Sequence, residues 1–334
     1  MNKKSKNPSE SLPEDFVKAR EFLEENKGSL RVVSHGDADG IYSAVLLSSA
    51  YAIQEIQFPD TFGDCEMEDG MANVSLDFGE PLQKEFSGLC IDHHDHLNPW
   101  YTLVERPYPT GLIVYELLKD KIPPTSLFKV AGSLMGDGQS ELIPPEVWEK
   151  CPELRDGSGK TSIRYDQGRE PRVWTLPCYR LLSSPINALS NIGNPYQAYL
   201  IAKDAKEPLD VIENPQCNQA QDDLRKYTND LLKSSKVREI NGVVFVPLDS
   251  KVKVASRIAT AIQSNDFPQR TFVVYNEETK TFSIRGDLTM FLIVNLLKEG
   301  IEAGGHPKFG AGSLGPNQEG NDLYRAIRKI MRRL

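Results

Sequence analysis

The chain has 334 residues, and 39 Lys and Arg against 47 Asp and Glu give a net charge of −8, which excludes a protein whose whole surface holds nucleic acid. Its 39% apolar and 26% charged residues suffice for buried cores, and its length exceeds the roughly 250–300 residues at which one core divides, so two domains are expected. The 5 cysteines are odd in number and form no C-x-x-C pair, which indicates neither a disulfide framework nor a cysteine zinc site and points to a reducing, cytoplasmic setting.

The polar stretch 1–10 lacks the apolar run of a signal peptide. The longest uncharged run, 181–202, contains Pro185, Gly193, Pro195 and several Asn, so neither a membrane span nor a membrane partner is expected. Ser11, Pro13 and Glu14 predict a helix start, with Ser11 as N-cap and Glu14 closing a capping box; Phe16, Ala19, Phe22 and Leu23 then share one face until Gly28. A β-rich run at 30–34 leads through a loop into a long apolar helix at 40–53. Strands around Ile56, at 73–76 and at 89–91, with helices at 111–119 and 126–135, continue the alternation of a mostly parallel sheet covered by helices.

Between Cys151 and Trp174 the composition turns to Gly, Ser, Pro and mixed charge, predicting a surface insertion or mobile loop. A polar helix at 218–236 leads into a second unit: strand 242–247, helix 251–263, a hairpin of 271–275 and 281–285, helix 288–298, and a last helix from Asp322. The domain boundary is placed near 236, giving domains of 1–236 and 237–334. The last helix carries Arg325, Arg328, Lys329, Arg332 and Arg333, read first as cations favoured at a helix C-terminus and second as a nucleic-acid-steering patch.

Histidine is scarce, with 5 in the chain, and three of them, His93, His94 and His96, are clustered. His35, Asp37 and Asp39 alternate directly after the first strand, where side chains two apart share a face and where open α/β sheets bind ligands. Converging carboxylates repel one another and call for cations; a simple Asp-Ala-Asp-Gly turn would leave His35 unexplained. Asp92-His93-His94-Asp95-His96 again follows a short apolar strand. Imidazole and carboxylate without thiolate suit Mn²⁺, Zn²⁺ or Fe²⁺, and a carboxylate-rich set favours Mn²⁺ or Mg²⁺.

His35-x-Asp37-x-Asp39-Gly40-x-x-Ser43-Ala44 together with Asp92-His93-His94 resembles the DHH phosphoesterase superfamily. Gly304-Gly305-His306-Pro307-Lys308 resembles the Gly-Gly-His motif of the C-terminal DHH-associated domain. The motifs stand in the family's order from about Arg31 onward, and the single-residue spacing of the first is more similar to the RecJ-like and archaeal exonuclease branch. The resemblance implies an α/β fold: a mostly parallel DHH sheet with helices on both faces, plus a smaller α/β C-terminal domain.

It also implies the remaining ligands, Asp77 after a strand and Asp137 after a helix. One metal would be held by His35, Asp37 and Asp77 and a second by Asp39, Asp77, His93 and Asp137, with Asp77 bridging. Asp92 would orient a histidine, and His94 would face the substrate phosphate; His96 is left without a role. In the second domain, Arg285 would bind phosphate bidentately, while Gly304, Gly305 and His306 would line the substrate site. Phe309 stands where the family has a small residue, as a ring that narrows the pocket or offers a stacking surface.

The implied activity is that of a Mn²⁺-dependent phosphodiesterase with two Mn²⁺ per site, or Mg²⁺ in their place. It would be an exonuclease on single-stranded DNA or RNA or on short oligonucleotides, bound between the domains. The alternatives are a phosphodiesterase of a small nucleotide such as a cyclic dinucleotide, and an inactive replication-associated scaffold. The same resemblance is compatible with a homodimer and with partners in DNA replication or repair.

Overall fold

The computed structural model describes residues 12–59, 72–79, 86–96, 99–164, 172–234, 236–252, 254–256, 258, 259, 270–306 and 308–333. It divides into two compact units, Met1–Gln221 and Asp222–Leu334, and the division falls inside the long polar helix Pro215–Ser234.

In the first unit, helix α1 (Glu14–Glu25) precedes strands β1 (Leu30–Ser34), β2 (Ile53–Gln57), β3 (Ala72–Leu76), β4 (Gly88–Asp92) and β5 (Thr102–Glu105). All five strands run parallel in the order β2-β1-β3-β4-β5. Every residue of β1 is buried, as expected of a strand covered on both faces. The chain passes from β1 through helix α2 (Ala38–Ala50) to β2 on one side, and β3 pairs with β1 on the other. The strand order thus reverses between β1 and β3, which places a crevice at their carboxyl ends.

Helix α2 is buried continuously from Ala38 to Leu47, so it is a core element with no solvent face over that length. It packs against α3 (Thr110–Leu118), α4 (Phe128–Gly136) and, after α5 (Pro145–Lys150), against α6 (Ser183–Asn191) and α7 (Pro195–Asp204). The short α8 (Pro208–Ile212) and α9 (Pro215–Ser234) follow.

Three readings are corrected or bounded here. Helix α1 begins at Glu14 with Pro13 preceding it and making no side-chain cap, while Ser11 lies outside the described residues. The 151–174 segment is no mobile loop throughout: β6 (Gly157–Arg164) and β7 (Arg172–Pro177) pair as an antiparallel ribbon, and 165–171 lie outside the described residues. Its glycines and serines drew attention away from Thr161, Ile163, Val173, Trp174 and Thr175, which favour strands. The helix expected at 251–263 lies largely outside the described residues.

The second unit is a sheet of β8 (Arg238–Ile240), β9 (Val243–Leu248), β10 (Thr271–Asn276), β11 (Thr281–Arg285), β12 (Glu302–His306) and β13 (Phe309–Ser313), ordered β12-β13-β11-β10-β9-β8. Helices α10 (Thr289–Lys298) and α11 (Gly320–Met331) join Val273, Tyr275, Phe282 and Ile284 in one core through Leu292, Leu296, Leu323 and Ile327. On α11 and just beyond it, Lys329 and Arg333 pair with Glu299 and Arg325 pairs with Asp322. Cys90, Cys151, Cys178 and Cys217 are buried free thiols, and no helix among the described residues is long and apolar enough to cross a membrane.

Candidate metal centre at the carboxyl ends of the parallel strands

Three strand ends and one helix end deliver the polar cluster. The His35 N–H, just past β1, donates to Leu76 O at 3.0 Å, and the Asp77 N–H, just past β3, donates to Ile91 O at 3.2 Å. The sheet ladder therefore continues one residue into each loop and fixes where these side chains start. Asp37 is the N-cap of α2, accepting from Gly40 N–H at 3.0 Å, so one of its oxygens is tied to the helix start. Asp92 ends β4, with His93 and His94 next, and Asp137 caps α4. Asp77 is buried at φ 63°, a left-handed conformation that costs a non-glycine residue of order 1–3 kcal/mol and is typical of functional loops.

These residues form two adjoining groups. Ligand atoms of His35, Asp37 and Asp77 lie within 4.8 Å of one another, as do those of Asp39, His93 and Asp137. Asp77 links the groups with its two oxygens: Oδ2 is 3.8 Å from His35 Nδ1, and Oδ1 is 3.1 Å from His93 Nε2. His35 Nδ1 also lies 3.1 Å from Asp37 Oδ2, and His93 Nε2 lies 3.4 Å from Asp137 Oδ2. All six residues expected to bind metal are thus brought into one site.

A second tier holds the first in place. Asp39 is fully buried; its Oδ1 accepts from Gly111 N–H at 3.0 Å and Ser133 Oγ at 2.5 Å, and its Oδ2 from Thr110 N–H at 2.7 Å. The first turn of α3 thus supplies donors to a carboxylate, as helix N-termini do, and Oδ2 keeps capacity for a cation. Thr110 Oγ donates to Asp77 Oδ1 at 3.1 Å, and Asn187 Oδ1 accepts from Ala38 N–H at 2.7 Å.

Asp92 is the hub of the Asp-His-His segment. Its Oδ2 accepts from Gly79 N–H at 2.6 Å and its Oδ1 from His93 N–H at 2.7 Å, while His94 Nδ1 lies 2.7 Å from Oδ1 and His96 Nε2 2.9 Å from Oδ2. His94 is half exposed at 50%, and with Nδ1 fixed on Asp92 its Nε2 is the nitrogen left to meet a ligand. The His96 side chain, by contrast, is 0% exposed and bridges Asp92 to Tyr101 Oη, 2.6 Å from its Nδ1. The sequence left His96 without a role; the structure makes it the clamp on Asp92's second oxygen.

The electrostatics are those of a site awaiting positive charge. Burial, then the charges of Asp39 and Asp37, push Asp137 up to about 9; burial and then Asp37 push Asp39 up to about 6. Asp77 is also held well above the carboxylate range, by burial and then by Asp39, Asp37, Asp92 and Asp137. Burial opposes ionisation of Asp37 and Asp92 too, but the charge and hydrogen bond of His35 outweigh it for Asp37, and the hydrogen bonds of His94 and His96 outweigh it for Asp92, so both sit below the usual range. Asp137 Oδ2 is buried without a hydrogen bond. Crowded carboxylates with imidazoles, no thiolate and an orphaned buried oxygen fit a divalent cation with a preference for oxygen and nitrogen donors. Cys90 also meets Asp92 and His96, but burial and then Asp92 keep its thiol protonated, which makes it a poor ligand.

In the second unit the expected substrate residues sit side by side across three strands: Arg285 pairs with Phe309, Phe309 with His306, and Gly304 with Ala311. The Gly-Gly-His motif is thus a strand, which its glycines concealed. Gly305 has φ +141°, and a Cβ there would run into the Phe309 carbonyl. The Arg285 guanidinium donates through Nη1 to Ile284 O at 2.9 Å and Gly310 O at 3.2 Å, and through Nη2 to Ser256 Oγ, so a phosphate would share it with these acceptors.

Sequence reasoning did not single out Thr110, Gly111, Ser133 or Asn187. Each acts through a hydroxyl, amide or backbone group on elements far apart in sequence. A glycine and a serine in largely apolar helices, at Gly111 and Ser133, are the signal that could have marked them.

No protein-family model and no curated protein matches the chain. Among solved structures, RecJ of Thermus thermophilus in complex with Mn²⁺ is similar with a TM-score of 0.64 at 14% identity, covering 97% of this chain and 55% of that one. The chain therefore spans about half the length of that protein. An exonuclease RecJ bound to manganese gives a TM-score of 0.57 at 15% identity, covering 97% and 96% of the two chains. The DHH domain of a member of a family of ribosomal proteins gives 0.59 at 14% identity, covering 95% and 89%. The chain has the fold of these RecJ and DHH-domain structures.

Proposed function

We propose that this chain is a manganese-dependent phosphodiesterase, an exonuclease that hydrolyses single-stranded DNA or RNA or short oligonucleotides. The observation that carries the reading is the pair of ligand groups joined through the two oxygens of Asp77. His35, Asp37 and Asp77 would hold one divalent ion, and Asp39, Asp77, His93 and Asp137 a second. Such ions would activate a water for attack and offset the charge of the phosphodiester oxygens.

The chain's own groups do the rest. Asp92, anchored by Gly79 and His96, orients His94 so that Nε2 can donate to a phosphate oxygen or to the departing oxygen. Thr110 steadies Asp77, and the first turn of α3 steadies Asp39. Gly304 and Gly305 expose backbone on the edge strand β12, where a phosphate or sugar can approach. The RecJ structures similar to this one are described in complex with Mn²⁺ and with Mg²⁺, which supports a divalent metal.

The test is incubation of the purified chain with Mn²⁺ and end-labelled single strands of both sugars, alongside a cyclic dinucleotide. The expected result is release of nucleotides from single strands, with a rate that falls steeply with salt because several phosphates are contacted. Asp137→Ala and His93→Ala should abolish this while the fold persists. Undiminished hydrolysis by Asp137→Ala, or cleavage of the cyclic dinucleotide alone, would overturn the reading.

A further inference from the structure

We propose that Phe309 is the platform on which a terminal nucleobase of the substrate stacks, a role that rests on the phosphodiesterase reading above. Among the described residues of the second unit, Phe309 is the only exposed aromatic side chain, at 52%. The other aromatic rings there are buried or half-buried, and several line the core beneath α10 and α11. A ring half exposed on a strand offers a flat apolar surface that a ligand can cover.

The surroundings favour a flat, base-like partner over an aliphatic one. Directly opposite residues of an antiparallel pair share a face, so Arg285 and Phe309 stand together, with Ser283 and Ala311 next along that face. Gly304 pairs with Ala311, and nothing lies within 4 Å of where a Cβ on Gly304 would be. Ser283 is buried, but Ala311 and Gly304 are exposed, which leaves room beside the ring for a planar ligand to lie against it.

Arg285 fills the remaining need. Its guanidinium carbon lies 5.1 Å from the centroid of the Phe309 ring and is fixed by Ile284 O, Gly310 O and Ser256 Oγ. A cation held against the ring anchors its orientation and places positive charge beside a ligand that carries phosphate. A nucleobase presents a π-face whatever its identity, so stacking here would grip the strand without reading its sequence. Phe309 also pairs in register with residue 306 of the Gly-Gly-His strand, which sets base and backbone contacts on adjoining strands.

The experiment uses the full chain with single-stranded oligonucleotides carrying 2-aminopurine at the 5′ or the 3′ end, and matching strands with an abasic residue there. Wild type should quench 2-aminopurine fluorescence at one end and cleave base-ended strands with a lower KM than abasic ones. Phe309→Ala should abolish the quenching and raise KM for base-ended strands about 5- to 150-fold, the loss of one stacked base, with kcat little changed. Its KM for abasic strands should stay that of wild type, which also shows that the variant is folded. Phe309→Trp should restore both signals, and Phe309→Leu should behave like Phe309→Ala. Unchanged KM in Phe309→Ala, or full activity in Phe309→Leu, with wild type active, overturns the stacking role alone. Wild type that neither binds nor cleaves any strand overturns the phosphodiesterase reading and this role with it.

Discussion

Asp39, Asp77 and Asp137 show what single residues contribute before any metal arrives. Burial and mutual repulsion raise all three, with Asp39 pushed up to about 6 and Asp137 to about 9, so Asp77 and Asp137 hold protons in the metal-free protein at neutral pH. A carboxylate whose folded pKa lies above its unfolded value contributes least once both states would ionise. Stability of the metal-free protein should therefore fall as pH rises from about 4 to about 9. Thermal unfolding in a chelator across this range should show that decline, and Mn²⁺ should reverse it near pH 8 while releasing protons to a weak buffer. A flat profile in both conditions would contradict the proposed ligand set. At this scale the sequence was legible wherever chemistry-bearing residues followed a strand: His35, Asp37 and Asp39, and the cluster from Asp92 to His96, could be read from spacing alone, while the separate roles of Asp92 and His93 came through resemblance. Asp77 and Asp137 emerged only through resemblance, because a single aspartate after an apolar run has no signature of its own. The role of His96 depends on Tyr101 and on the second oxygen of Asp92, which spacing does not reveal.

At the scale of elements, the site depends on the close approach of α3 to α4. A Cβ on Gly111 would lie 2.5 Å from Ser133 Cβ and closer still to Ser133 Oγ, which holds Asp39. Gly111→Ala should therefore separate the helices or turn Ser133 away from Asp39. The expected outcome is a loss of about 1–3 kcal/mol in stability, read by denaturant unfolding, together with weaker Mn²⁺ binding. Unchanged unfolding and metal affinity would show that this contact does not set the position of Asp39. The elements that bear the first-unit site were legible as apolar strands feeding polar loops and buried helices. The strands that escaped were short, as with β5, rich in glycine, as with β6 and β12, or set in a segment of mixed charge, as with β7. For these, pairing with a neighbour supplies the order that local propensity lacks.

At the scale of the molecule, two units with separate cores each carry part of the proposed chemistry: the ligand cluster in the first, and Arg285, Phe309 and the Gly-Gly-His strand in the second. The net charge of −8 leaves the attraction for a polyanion to local features, and divalent ions on the acidic cluster would supply it where it is needed. Everything in the account turns on whether that cluster holds a pair of ions through Asp77. Titration of the full chain with Mn²⁺ followed by electron paramagnetic resonance tests this most directly. The account predicts two bound Mn²⁺ per chain with the spectrum of a coupled pair, reduced to uncoupled binding in Asp77→Asn. No binding, or a single isolated ion in the wild-type chain, would contradict it.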